Sequence, residues 1–275
     1  MPELPEVETI RRGLSRKLVN KPKIEAVIFC STHRNIYETP RRRLKETLPG
    51  RVLYRINRAG KNLLFDLGSH LTLTIHLGMT GKLLLHEQTS PLPLPKHTHL
   101  KIRFSNGCEV HYVDPRRFGR VELYHQPAGT VAKKLRLGPD ALEDKIKWEE
   151  LKTSLGRHRK DIKSTLLLPQ VVSGLGNIYT SEILYEARID PRRPANTLSD
   201  EEIQSLLHNI KKVIKQAVQN RGTTFSDYRD EKDGRGRFKP HIYGREGLPC
   251  GGCGKKIEKI VQGGRSTFYC PRCQR

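Results

Sequence analysis

The stretch Asn62-Leu-Leu-Phe-Asp-Leu-Gly-Ser-His-Leu-Thr-Leu-Thr-Ile-His-Leu77 holds two runs, 62–67 and 71–77, too short for stable helices and rich in residues that suit a pleated, half-buried surface. Similar β-rich runs recur at 24–29, 52–57, 82–86, 99–104, 109–113 and 120–124. Eight such segments with little helix between them predict an antiparallel sandwich or barrel, with Ser105-Asn106-Gly107 as the clearest hairpin turn. Upstream the period changes. Leu4, Val7, Ile10, Leu14 and Leu18 recur at helical spacing, so residues 3–18 should form an amphipathic helix with Arg11, Arg12, Arg16 and Lys17 mostly outside.

After Gly129 the strands stop and helical periodicity returns. Short helices are predicted at 148–155, 159–168 and 178–187, and Ser199-Asp-Glu-Glu202 reads as a capping box opening a long helix that ends near Asn220. Residues 221–242 carry Gly222, Gly234 and Gly236 among many charges and read as a long mobile loop. The expected division is a β domain over 1–130, a helical domain over 131–221, and a loop with a cysteine-bearing end over 222–275. No internal repeat is present.

Lys and Arg number 51 against 29 Asp and Glu, a formal charge of +22. Such an imbalance calls for a polyanionic partner, nucleic acid or an anionic membrane surface. Membrane is the poorer choice, since no apolar run approaches the ~20 residues of a span and the N-terminus lacks a signal peptide's apolar stretch. A cytoplasmic location is therefore expected. Of the six cysteines, Cys30 and Cys108 stand alone, whereas Cys250-Gly-Gly-Cys253 and Cys270-Pro-Arg-Cys273 form two tight pairs separated by 16 residues. That spacing suits a closed four-thiolate zinc site at the base of a β-hairpin turning at Gly263-Gly264, one structural zinc per chain with no open position for a reacting water.

The second residue has the greatest chemical potential. Loss of Met1 would make Pro2 a secondary amine at the terminus, able to attack an aldehydic carbon and form an iminium electron sink, with Glu3 and Glu6 close by. The plain alternative is that Pro2 merely begins a helix whose dipole the glutamates favour. The glycine turn Val171-Val-Ser-Gly-Leu-Gly-Asn177 precedes a helix N-terminus suited to a phosphate oxygen, with the basic run from Arg157 to Lys163 just upstream; it could equally be a packing device. Asp114-Pro-Arg-Arg-Phe-Gly119 sets guanidinium groups beside an aromatic. It is either a turn with an internal Asp–Arg pair or, in a DNA-binding chain, a wedge with a base reader. Met79 could be a further inserted side chain or core, and Lys61 a site cation or a surface charge.

Together, Pro2-Glu-Leu-Pro-Glu-Val-Glu8, Lys61, His76-Leu-Gly-Met79, Lys96-His-Thr-His99, Asp114-Pro-Arg-Arg-Phe-Gly119, Gly176-Asn-Ile-Tyr179 and the four-cysteine end resemble the formamidopyrimidine-DNA glycosylase family along essentially the whole chain. The resemblance implies an α+β protein: an N-terminal antiparallel β-sandwich behind a leading helix, then a helix-two-turn-helix bundle and a zinc-finger hairpin. It implies a monomer acting on damaged duplex DNA, removing 8-oxoguanine and formamidopyrimidines as a glycosylase and AP lyase, in a bacterial-type cytoplasm at the nucleoid. By position, Pro2 would be the Schiff-base nucleophile, Glu3 the general acid/base supported by Glu6, Lys61 the β-elimination residue and Arg265 the δ-elimination residue. Met79, Arg116 and Phe118 would fill the gap left by a flipped nucleotide. His76, Asn177, Tyr243 and Lys259 would contact phosphates around it, His97, His158, Arg159 and Lys163 would make further DNA contacts, and the segment with Thr223, Thr224 and Tyr228 would cover the lesion. Ser173-Gly-Leu-Gly176 departs from the family's more usual Val-Gly-Val-Gly, although the glycine before Asn177 is kept. An endonuclease VIII-like enzyme for oxidised pyrimidines shares this fold and chemistry, but Leu4 and the intact Arg116/Phe118 loop favour the first reading. A non-catalytic zinc-containing DNA-binding protein is the remaining alternative.

Overall fold

The computed structural model describes residues 1–275 except 19, 34, 88–92, 144–145 and 226. The chain forms two compact units, the first of residues 1–136 with 220–237 and the second of 137–219 with 238–275.

The first unit is a sandwich rather than a closed barrel. Strands β1 (Ile24–Phe29), β2 (Arg55–Ala59), β3 (Asn62–Asp66), β4 (Thr72–His76), β5 (Lys82–Glu87), β6 (Thr98–Phe104), β7 (Cys108–Val113) and β8 (Arg120–Tyr124) make two four-stranded sheets, ordered β1-β6-β7-β5 and β2-β3-β4-β8. Every neighbour pair is antiparallel. Leu63, Phe65, Leu73 and Ile75 of one sheet share a core with Leu83, Leu100, Ile102 and Val110 of the other. Helix α1 (Leu4–Lys17) adds Val7, Ile10 and Leu14 to that core, as its periodicity predicts.

One short helix, α2 (Arg41–Thr47), interrupts the strands, and another, α3 (Ala128–Lys134), follows β8 close to where helical periodicity returns. In α2 only Leu44 is buried, so the sequence carries no apolar stripe to announce it. The larger correction concerns 220–237, grouped above with the zinc hairpin as a mobile loop. This segment belongs to the first unit, where Tyr228 lies in the sandwich core and Asp230 and Glu231 are buried. Asp230 Oδ1 accepts the N–H groups of Lys232 and Gly234, and the Leu85 N–H donates to the Glu231 carbonyl.

The second unit holds α4 (Trp148–Gly156), α5 (Ile162–Leu166), α6 (Asn177–Glu186), α7 (Asp200–Gln219) and the hairpin β9–β10 (Glu258–Gln262, Arg265–Tyr269). The capping box of α7 is present: Glu202 accepts the Ser199 N–H at 2.8 Å, and Ser199 Oγ accepts that of Glu202. Helix α5 begins later than predicted because Asp161 takes the N-cap position and accepts the Ser164 N–H.

Candidate active site and nucleic-acid contacts

Glu3 caps α1. Its side chain accepts the Glu6 N–H, while Glu6 Oε2 accepts the Glu3 N–H at 2.8 Å. Pro2 and Glu3 are both buried at the start of α1, while Met1 before them is exposed. The second Glu6 oxygen, Oε1, accepts the Thr223 N–H at 2.8 Å. One carboxylate therefore joins the start of α1 to the segment around Thr223.

Along α1, Glu8 is bonded to Arg11, Arg12 and Arg58. Burial alone would raise its carboxyl, but the guanidinium hydrogen bonds prevail and hold it at about 2. The Arg58 side chain, only 6% exposed, also donates to the Gly60 carbonyl at 2.9 Å and so braces the turn that carries Lys61. Lys61 acts electrostatically on His76 at the end of β4. Burial first, and then the Lys61 and Arg120 cations, depress His76 to about 4. His76 Nδ1 accepts the Gly78 N–H at 3.1 Å, so the neutral ring carries its proton on Nε2.

Met79 and Phe118 are among the exposed large apolar side chains, and the Arg116 guanidinium lies 4.8 Å from the Phe118 ring centre. They stand on two loops, β4–β5 and β7–β8, that meet backbone to backbone: a Cβ on Gly78 would collide with Phe118 and Gly119 main-chain atoms. The Asp114–Arg pair considered above does not form, because the Asp114 side chain binds Thr80, Tyr112 and Gly119. The exposed His97 joins this region through its carbonyl, which accepts the Asp114 N–H at 3.1 Å.

In the 220–237 segment, Thr223 is buried, and Thr224 Oγ1 donates to the Tyr228 carbonyl and accepts the Gly236 N–H. Tyr228, expected near a lesion, is instead a core residue with 6% exposure. Phe225, missed in the sequence, is the exposed aromatic there at 54%.

In the second unit, Asn177 opens α6, and its Nδ2 donates to the Ser266 carbonyl at 2.9 Å and to the Tyr243 hydroxyl at 3.3 Å. Buried Glu182 accepts the N–H groups of His241, Ile242 and Tyr243, a clasp that no local sequence signal announces. Arg265 and Lys259 are exposed on the hairpin, Lys259 within 3.1 Å of Glu246. Arg159 is exposed and His158 half-buried. Lys163 departs from its expected DNA contact: it is 1% exposed, and its ammonium donates to the Ser266 carbonyl and to Thr267 Oγ1 at 2.8 and 2.7 Å. Its charge ties α5 to the hairpin.

The sulfurs of Cys250, Cys253, Cys270 and Cys273 lie within 4.8 Å of one another, with Cys250–Cys273 at 3.8 Å and Cys253–Cys270 at 3.5 Å. Zinc–sulfur bonds of about 2.3 Å set a tetrahedron edge of roughly 3.8 Å, so the thiolates fit one structural zinc. Among the described residues no helix is long and apolar enough to cross a membrane.

Residues 1–121 match the formamidopyrimidine-DNA glycosylase N-terminal domain, residues 137–229 that family's H2TH domain, and residues 247–275 a zinc finger found in FPG and IleRS. The chain is 40% identical to the formamidopyrimidine-DNA glycosylase of Pelotomaculum thermopropionicum, covering 100% of this chain and 99% of that protein. It is equally 40% identical to that of Herpetosiphon aurantiacus, with 100% of both covered. Among solved structures, MutM (FPG) of Thermus thermophilus superposes with a TM-score of 0.86 at 36% identity, covering 99% of this chain and 98% of that one. A Lactococcus lactis FPG mutant in complex with Fapy-dG containing DNA gives 0.91 at 33% identity, with 100% of both chains covered.

Proposed function

The chain belongs to the formamidopyrimidine-DNA glycosylase family, and from that premise we propose that it excises oxidised purines from duplex DNA, and cleaves the resulting abasic strand, through the amine of Pro2. The enzyme is a DNA glycosylase and AP lyase of base excision repair. Its full-length likeness to proteins of that name decides against the oxidised-pyrimidine and non-catalytic alternatives. It works as a monomer on cytoplasmic, nucleoid DNA.

With Met1 removed, the Pro2 nitrogen attacks C1′ of a nucleotide flipped out of the stack. The N-glycosidic bond breaks, the base leaves with its electron pair and a proton, and ring opening gives an iminium. Glu3 holds or moves the proton at the sugar. Removal of a C2′ proton then expels the 3′ phosphate oxygen, a second elimination expels the 5′ phosphate, and water releases Pro2. Lys61 and Arg265 serve the two eliminations. Met79, Arg116 and Phe118 occupy the vacated stack, and the guanidinium reads the orphaned cytosine, whose N3 and O2 both accept where adenine places a donor beside N1. His76, Asn177, Tyr243 and Lys259 hold phosphates. Bound zinc supplies no chemistry to the reaction; it organises the hairpin that carries Lys259 and Arg265.

The observation that carries this reading is the reciprocal Glu3–Glu6 cap beside buried Pro2, which supports a nucleophile held at the helix start once Met1 is removed. Borohydride reduction during turnover should leave a covalent protein–DNA adduct mapping to the Pro2 peptide, and Glu3→Gln should lose base excision while still binding DNA. An adduct mapping to Lys61 would overturn the assignment.

A further inference from the structure

Three donors converge on the side chain of Asp114, which is 0% exposed. The Thr80 hydroxyl donates to Oδ1 at 2.6 Å, and the Gly119 N–H and Tyr112 hydroxyl donate to Oδ2 at 2.9 and 3.1 Å. Thr80 Oγ1 in turn accepts the Arg116 N–H at 3.2 Å. Burial and the neighbouring Asp114 carboxylate push the Tyr112 phenol up, which keeps it a donor. Thr80, the residue after Met79, is therefore bonded directly to the Arg116 main chain before Phe118 and, through the buried Asp114 carboxylate, to the Gly119 main chain after it. The close approach of Gly78 to Phe118 leaves the two loops no slack.

We propose that the Asp114–Thr80 junction is a specificity-determining device, a pair of positioning residues that locks the Met79 loop to the Arg116–Phe118 loop so that wedge and base reader enter the helix as one body. This rests on the proposed gap-filling role of those three side chains. Arg116 and Phe118 are exposed, and the guanidinium's contact with the Phe118 ring lies within one loop, so it sets no height for that loop against a base edge. The bond from the Arg116 main chain to Thr80 supplies that reference. An asparagine at 114 would offer one acceptor oxygen where three donors point, and would turn its own N–H groups towards donors.

The test compares Asp114→Asn, Thr80→Val and Arg116→Ala with the unmutated protein on duplexes bearing 8-oxoguanine opposite cytosine or adenine, and on an abasic site in a single strand, which has no partner base to read. Thr80→Val keeps side-chain shape and covers the case in which Asp114→Asn fails to fold. The unmutated enzyme should favour cytosine by about ten- to a hundredfold. Arg116→Ala should abolish that preference, and the two junction variants should cut it at least fivefold through kcat while single-strand cleavage changes by less than twofold. If Arg116→Ala abolishes the preference and Thr80→Val keeps it whole, the junction idea is wrong and the reading of Arg116 stands. Parallel loss of single-strand and duplex cleavage in the junction variants would reduce the junction to ordinary structure and also overturn it. A preference that survives Arg116→Ala would take down the base-reader reading and this inference together.

Discussion

At the scale of single residues, the structure separates contacts that look alike in the sequence. His76 and Lys259 are both proposed phosphate contacts, yet His76, held at about 4, is a neutral donor at physiological pH. His76→Ala should therefore weaken DNA binding while leaving the slope of log affinity against log salt unchanged. Lys259→Ala should reduce that slope by about 0.9, one counterion's worth, as measured by titration at several salt concentrations. Because the folded His76 value lies below the usual 6.5, the unfolded chain binds the proton first on acidification. The contribution of His76 to stability is complete above pH 6.5 and is lost as the pH falls to 4. Urea midpoints for His76→Gln should show a flatter pH dependence across that window. Glu8 titrates lower, its share of stability being present above 4.5 and lost as the pH falls through 2. Glu8→Gln removes the buried carboxylate that the Arg11, Arg12 and Arg58 guanidinium groups share and should cost about 3–5 kcal/mol of unfolding free energy in denaturant melts.

At the scale of elements, legibility followed locality. Helix α1, the strands and the α7 cap could be read because their signals lie within a few neighbouring residues, and the metal hairpin could be read because the two cysteine pairs and the Gly263-Gly264 turn set its geometry. Lys163 misled because a cation in a basic run gives no local sign that its partners are Ser266 and Thr267, about a hundred positions away. Residues 220–237 misled for the same reason, their anchor to Glu6 spanning 217 positions. Catalytic candidates were legible through resemblance. The supports beneath them, Glu8–Arg58–Gly60, Asp114–Thr80 and Glu182 with 241–243, are long-range and were not. The hairpin has a small core, Ile257, Phe268 and Ile242 beside the cysteines, so metal binding should supply most of its folding energy. Elemental analysis should find one zinc per chain. Chelation or Cys273→Ser should make residues 254–266 protease-sensitive and weaken binding to damaged duplex, while the first unit keeps its β-sheet circular dichroism.

For the whole molecule, a charge of +22 acts in opposite directions on folding and on binding. Added salt screens self-repulsion, so raising it from about 50 to about 200 mM should raise the melting temperature of the free protein by a few degrees while non-specific duplex affinity falls by about 10³-fold or more. Calorimetry and binding titrations in matched buffers would register both signs. The division of the chain also bears on biosynthesis. The sandwich begins with the first helix but recruits Tyr228 to its core and Thr223 to its Glu6 anchor only after an 83-residue excursion, 137–219, has been made. A nascent chain paused in that excursion carries strands β1–β8 of the sandwich and the proposed nucleophile Pro2, but not the segment that completes their packing. Completion of the sandwich is thus deferred until nearly the whole polypeptide has been translated, and a prematurely terminated product would be left with an unfinished core and a Glu6 carboxylate lacking the Thr223 N–H.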